Sequence, residues 1–244
     1  MFTGKYKFGD IIISLNSIHN DVHEYCAGYE SDGEPQLSFT ISQADIDFER
    51  EKSAKDDISE GREVRYFTDG YLEELAFYRK IAEKMPDFDI ILFHGSVIAV
   101  DGEGFLFTAN SGTGKSTHTK LWREKFGERA VMVNDDKPLL RMTDEQVIAY
   151  GTPYNGKHRI GCNMSVPLKG LCILTRGETN SISCITKKEA YSMLMQQVYR
   201  PADPVQLLKT MKLLDKLGKN IKIYRLACNM DIEAAEVAYN GMKG

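Results

Sequence analysis

The stretch Ala109-Asn110-Ser111-Gly112-Thr113-Gly114-Lys115-Ser116-Thr117 constrains this chain more than any other. It follows the apolar run FLFTA and precedes the helix-forming sequence HTKLW, so it reads as a turn between a strand and a helix. Gly112 and Gly114 let the backbone turn its N–H groups inward, and the positive end of the following helix meets the same point. The natural guest of such a loop is an anion. Lys115 is spaced to reach the β- and γ-phosphates of a nucleotide, and the Ser116 hydroxyl to ligate Mg²⁺. A strict Walker A loop carries glycine where this chain has Ala109.

The strand feeding the loop has a partner just upstream. In DIILFHGSVIAVDGEGFLFTA two apolar runs flank Asp101-Gly102, a dipeptide suited to the positive φ angles of a tight hairpin turn. The phosphate loop is therefore expected at the end of an antiparallel hairpin, in a mixed sheet rather than an all-parallel one. Further strands are expected at 130–134, 147–150, 170–174 and 221–224, and helices near 187–199, 204–217 and 231–242. Leu75, Tyr78, Ala82 and Met85 recur at helical spacing over 71–85, with Thr68 or Asp69 as cap and Pro86 as stop. Residues 1–65 read as short strands, DIIISLNS and LSFTIS, followed by a charged run at 47–63 that suits a solvated loop or helix face. The expected organisation is a β-rich amino-terminal domain over 1–65 and an α/β phosphate-loop domain over 66–244.

Downstream of the loop, AVMVNDDKP places Asp135 and Asp136 directly after an apolar strand, the position of a Walker B carboxylate. Two such carboxylates can divide labour. One holds the metal or its waters, and the other, if its neighbour raises its pKa, takes a proton from an attacking hydroxyl.

Composition narrows the partners. With 244 residues the chain can bury a sizeable core, and its net charge of −4 argues against nucleic acid or an anionic membrane as an obligatory partner. The 5 cysteines (Cys26, Cys162, Cys172, Cys184, Cys228) show no CxxC spacing, so neither a disulfide framework nor a zinc site is encoded. The amino terminus lacks an apolar h-region and no apolar run reaches membrane-spanning length, which leads us to expect a cytoplasmic protein.

FHGSVIAVDGEGFLFTANSGTGKST followed by VNDDKPLL resembles the catalytic core of HPr kinase/phosphorylase, a core shared with ATP-dependent phosphoenolpyruvate carboxykinase. The likeness covers 93–141 with specific motifs, and segments such as GTPYNGKH and SVPLKG are similar to those of small bacterial HPr-kinase-like proteins. The resemblance implies a P-loop core with a mixed sheet of that type. It implies nucleotide contacts from Ser111, Gly112, Thr113, Gly114, Lys115, Ser116 and Thr117, and Mg²⁺ at Ser116 and Asp135. It further implies Asp136 as the base and His94 as a polar group lining the site. Ala109, Asn110 and Thr117 depart from the kinase pattern of glycine, aspartate and glutamate, and Thr117 leans toward the carboxykinase loop.

YGTPYNGKHRIGCN is the other unusual stretch, an irregular loop expected to display Tyr154, Lys157, His158 and Arg159. Phosphoryl transfer needs cations on the migrating group, and Lys157 or Arg159 could supply them, with Arg176 and Arg200 as weaker alternatives. His118 reads as structural. Together these features predict an ATP- and Mg²⁺-dependent kinase that transfers the γ-phosphoryl group to a hydroxyl, either a serine of a protein or peptide or a small-molecule alcohol. The rival from another class is a nucleotide-binding regulator without turnover. A carboxykinase needs a larger substrate domain than this length provides.

Overall fold

The computed structural model describes residues 1–156 and 158–243. They form two compact units, Met1–Lys84 and Met85–Gly244.

In the first unit, β1 (Phe2–Phe8) and β2 (Ile11–Ser17) make an antiparallel hairpin, and β3 (Leu37–Thr40) adds to β2 in parallel. Strand β2 alternates cleanly, burying Ile11, Ile13, Leu15 and Ser17 on one face. Helices α1 (Asp21–Tyr25), α2 (Gln43–Ser59) and α3 (Asp69–Lys84) complete the unit. The charged run is thus mostly helix α2, opened by a capping box in which Ser42 and Asp45 exchange hydrogen bonds. Its buried acids are matched: Asp57 by Arg62 and Arg65, and Glu49 by Arg79. The fully buried Glu73 carboxylate accepts the backbone N–H groups of Ile18 (2.7 Å) and His19 (2.8 Å) at the end of β2. The division falls after Lys84 rather than after residue 65, because α3 packs on α1 and α2 and carries this buried carboxylate. The unit is accordingly mixed α and β, with three helices beside its three-stranded sheet.

The second unit is built on a nine-stranded mixed sheet. Its elements are β4 (Ile90–Leu92), β5 (Ser96–Val100), β6 (Glu103–Thr108), α4 (Lys115–Phe126), β7 (Ala130–Asn134), β8 (Leu139–Met142) and β9 (Val147–Tyr150). They are followed by β10 (Ser165–Arg176), β11 (Ser181–Ile185), α5 (Lys187–Gln197), α6 (Pro204–Asn220), β12 (Lys222–Cys228) and α7 (Glu233–Lys243). The long strand β10 joins the two halves of the sheet. Its first residues pair antiparallel with β9, and the stretch from Leu168 onward runs parallel to β6 on one side and β12 on the other. Strands β5 and β6 form the expected hairpin, with Asp101 (φ +53°) and Gly102 (φ +82°) both left-handed at its turn. Strand β7 pairs antiparallel with β5, so the sheet is mixed on both sides of the phosphate loop.

Both faces of these strands are covered, which is why they read as continuous apolar runs. On one face Val97, Ala99, Leu106, Leu171 and Ile173 pack against Leu194 of α5 and Leu213 and Leu217 of α6. On the other, Ile98, Phe105 and Phe107 pack against Leu121 and Trp122 of α4 and Ala235 and Ala238 of α7. Trp122 is fully buried, and its indole N–H donates to Nε2 of His118 at 3.0 Å. Nε2 of His118 must therefore be unprotonated, and burial pushes this imidazole down to about 4. His118 is a neutral core residue. Among the described residues no helix is long and apolar enough to cross a membrane.

Candidate phosphate-binding site

Strand β6 delivers the chain to the loop, and Ala109 ends it inside the core cluster of Phe107 and Trp122. A methyl group in that cluster accounts physically for alanine at the first loop position. The loop closes through Thr113 N–H to the Asn110 carbonyl (3.2 Å), and Gly112 (φ +74°) and Gly114 (φ +117°) take left-handed conformations that side-chain-bearing residues avoid. Gly114 caps α4, whose first hydrogen bond runs from His118 N–H to the Gly114 carbonyl (2.9 Å). From the far side, Arg176 at the end of β10 donates to the Gly112 carbonyl at 2.8 Å. The amino-terminal end of α4 is thus held in place by a strand, a turn and a guanidinium.

The aspartate pair follows β7. Asn134, fully buried, shapes the turn: its Oδ1 accepts the N–H groups of Asp136 (2.9 Å) and Lys137 (2.7 Å), while its Nδ2 donates to the Thr152 hydroxyl (3.0 Å) and carbonyl (3.3 Å). The Thr152 hydroxyl in turn donates to the Lys137 carbonyl at 2.9 Å. Within this turn the two carboxylates point to different partners. Asp135 is buried, receives the Ser96 hydroxyl at 3.0 Å on Oδ1, and borders a cavity together with Ser116. Asp136 has Oδ1 3.3 Å from Nε2 of His94, and its backbone carbonyl accepts from Gly95 N–H at 3.0 Å.

Their electrostatics differ accordingly. Burial raises the Asp135 carboxyl above the ordinary aspartate range, because the Ser96 and Ser116 hydroxyls and nearby His158 only partly offset it and the neighbouring Asp136 charge adds to it. Burial also acts on Asp136, but the His94 hydrogen bond and the charges of Lys137, His94 and Lys115 outweigh it and hold the carboxyl low. Lys115 is pushed below the usual lysine range by burial and by Lys137, against the pull of Asp136 and Asp135. Lys137 is lowered by burial. The site therefore gathers two lysines, two aspartates, a histidine and a helix terminus.

The irregular loop is tied to the same turn. Lys137 N–H donates to the Tyr154 carbonyl (3.1 Å), and a Cβ built on Gly156 would lie 3.4 Å from Cβ of Asp136. Tyr154 is buried rather than displayed, since it lies in the segment packed beneath the aspartates. His158 and Arg159 are exposed, Arg159 with φ +46°, and Lys157 lies outside the described residues. A cavity of about 560 Å³ is bordered by Ser116, Asp135 and His158 among others, without Arg159. On the other flank of the phosphate loop a second cavity of about 530 Å³ is bordered by Gly112, Thr117, Leu121, Leu174, Arg176 and Met230. Arg176 thus stands on the loop's outer flank, apart from the aspartates, and the exposed Arg200 borders neither cavity.

Among the described residues no three His, Cys, Asp or Glu side chains cluster as a metal cage. A cation between Ser116 and Asp135 would complete its shell with phosphate and water oxygens, the habit of Mg²⁺. Ser96, Asn134, Thr152 and Lys137 carry roles that the sequence motifs did not single out.

No protein-family profile matches the chain, and no curated protein matches it. Among solved structures, the Hpr(Ser) kinase/phosphatase from Coxiella burnetii is similar over 63% of this chain and 99% of its own, with 15% identity and a TM-score of 0.34.

Proposed function

We propose that the chain is an ATP-dependent phosphotransferase that moves the γ-phosphoryl group of a nucleotide to a hydroxyl. The observation that carries this reading is that Ser116, in the first turn of α4, and the buried Asp135 border the same cavity, beside a glycine loop that also presents Lys115. Ser116 and Asp135 would hold Mg²⁺, which would supply neutralising charge at the transferring phosphoryl group. Ser111 to Thr117 hold the phosphates through backbone N–H groups, and Lys115 supplies the fixed positive charge. The cavity flanked by Leu121, Leu174 and Met230 takes the nucleoside. Asp136, held ionised and oriented by His94, accepts the proton of the acceptor hydroxyl. His158 and Arg159 add positive charge from the irregular loop.

Incubation with nucleotide labelled at the γ-phosphate, with and without hydroxyl acceptors, tests the reading. The expected result is Mg²⁺-dependent transfer of label that is lost in Lys115→Ala. Tight nucleotide binding with no turnover under any condition assigns the chain instead to nucleotide-binding regulators.

A further inference from the structure

The cavity beside the aspartate pair has a chemistry of its own. Ser116, Lys120 and Arg123 stand four and three residues apart on one face of α4, and all three border it together with Asp135 and His158. The wall therefore carries two permanent cations and a histidine against one carboxylate. That carboxylate, Asp135, accepts the Ser96 hydroxyl on Oδ1 at 3.0 Å. Among the described residues Lys120 pairs with Glu124 at 3.6 Å, both side chains exposed, an arrangement of little strength. Arg123 is half-buried, and its Nε is shielded from solvent with no hydrogen-bond partner among the described residues. The guanidinium as a whole borders the cavity, where its remaining N–H groups can donate to an anionic ligand.

We propose that this cavity binds the phosphoryl acceptor and that the acceptor is a small hydroxy compound bearing an anionic group, a carboxylate or a phosphate, held by Arg123 and Lys120. The proposal rests on the kinase reading above and narrows its substrate class. From Ser116 to Arg123 the helix rises roughly 10 Å, and long helical side chains lean back toward the amino terminus. The anion and the reacting hydroxyl are therefore separated by a short carbon chain. The cavity of about 560 Å³ has ample room for a molecule of that size. In the transfer step the acceptor oxygen forms its bond to the γ-phosphorus as the bond from that phosphorus to the β,γ-bridging oxygen breaks. The bonding pair leaves with ADP, and the hydroxyl proton passes to the aspartate pair, of which Asp135 borders the cavity.

Calorimetric titration of glycerate and of glycerol 3-phosphate into the full chain, with Mg²⁺ and a non-hydrolysable ATP analogue present, tests this, with glycerol as neutral control. The expected result is saturable binding of at least one anion and none of glycerol, the two arms telling carboxylate from phosphate. Arg123→Gln and Lys120→Gln should each raise the dissociation constant of that anion roughly tenfold or more while the analogue binds as before, and Arg123→Lys should recover part of the loss. Lys120 is exposed, so its variant reports even if Arg123→Gln fails to fold. Absence of saturable binding by both anions, equal binding of glycerol, preferential binding of an acidic serine peptide, or unchanged affinity in both glutamine variants would overturn the proposal. If the analogue itself does not bind, the kinase reading fails, and the same titration without nucleotide still decides whether the cavity takes anions.

Discussion

Nε2 of His94 lies 3.3 Å from Oδ1 of Asp136, so the second carboxylate of the pair faces a histidine while the first accepts the Ser96 hydroxyl. The difference sets opposite signs for two near-isosteric substitutions. The raised Asp135 carboxyl is one the fold would rather keep protonated. Its ionisation destabilises the folded chain above its folded pKa, and the cost vanishes below the unfolded value near 3.8. The lowered Asp136 carboxyl contributes stability above that unfolded value and loses it as pH falls through the folded pKa. At neutral pH, without nucleotide, Asp135→Asn should therefore raise the melting temperature and Asp136→Asn lower it. Thermal scans at pH 7 and near pH 3 check this, because both differences should shrink in acid.

Asn134 is expected to act as a positioning residue. Asn134→Ala removes the acceptor for two backbone N–H groups and the donor to Thr152, at a cost of about 2–3 kcal/mol. A merely structural loss would lower the amount of active protein and leave the kinetic constants of the folded fraction intact. Positioning of Asp136 predicts a fall in kcat of the folded protein with the nucleotide KM little changed. Active-site titration beside steady-state kinetics separates the two.

Burial of Lys115 gives the nucleotide site a pH signature. Because its ammonium sits below the usual lysine value of 10.5, the charge that holds phosphate is lost earlier than for a solvent-exposed lysine as pH rises. The alkaline limb of kcat/KM should fall below that value, and Lys115→Arg should shift it upward at the expense of rate. An alkaline limb at or above the exposed-lysine value would show that Lys115 is not the titrating group.

In the first unit, Glu73→Ala leaves the N–H groups of Ile18 and His19 without their carboxylate, and should cost about 2–4 kcal/mol. Glu73→Gln keeps one acceptor oxygen and should cost less. Denaturant titration read by the transition of this unit is the check, since two units can unfold in separate steps.

The parts of this chain legible in its sequence are those specified locally. Glycines at 112 and 114, the Asp101-Gly102 turn and the apolar runs flanking them announce the hairpin, the loop and the helix with little help from the rest of the molecule. Strand β1 escaped because FTGKYKF buries only Tyr6 and Phe8, so its polar positions mask the alternation. Helix α2 buries only Ile46, Glu49 and Asp57, and two of those depend on arginines elsewhere in the chain. Strand β8 is only four residues long, too short for a period to register beside Pro138. Ser96 and Asn134 are ordinary polar residues in sequence. Their roles appear only when Ser96 meets Asp135 and Asn134 meets Thr152 across the fold.

The central claim is that this loop and aspartate pair transfer phosphate. The measurement that tests it most directly is the Mg²⁺-dependent formation of ADP by wild type and Asp136→Asn, beside the dissociation constant of each for MgATP. The account predicts that the variant binds MgATP within a few-fold of wild type while its turnover falls by roughly two to four powers of ten, the usual size of general-base catalysis. Wild-type protein that binds no MgATP, or an Asp136→Asn variant that turns over at the wild-type rate, would contradict it.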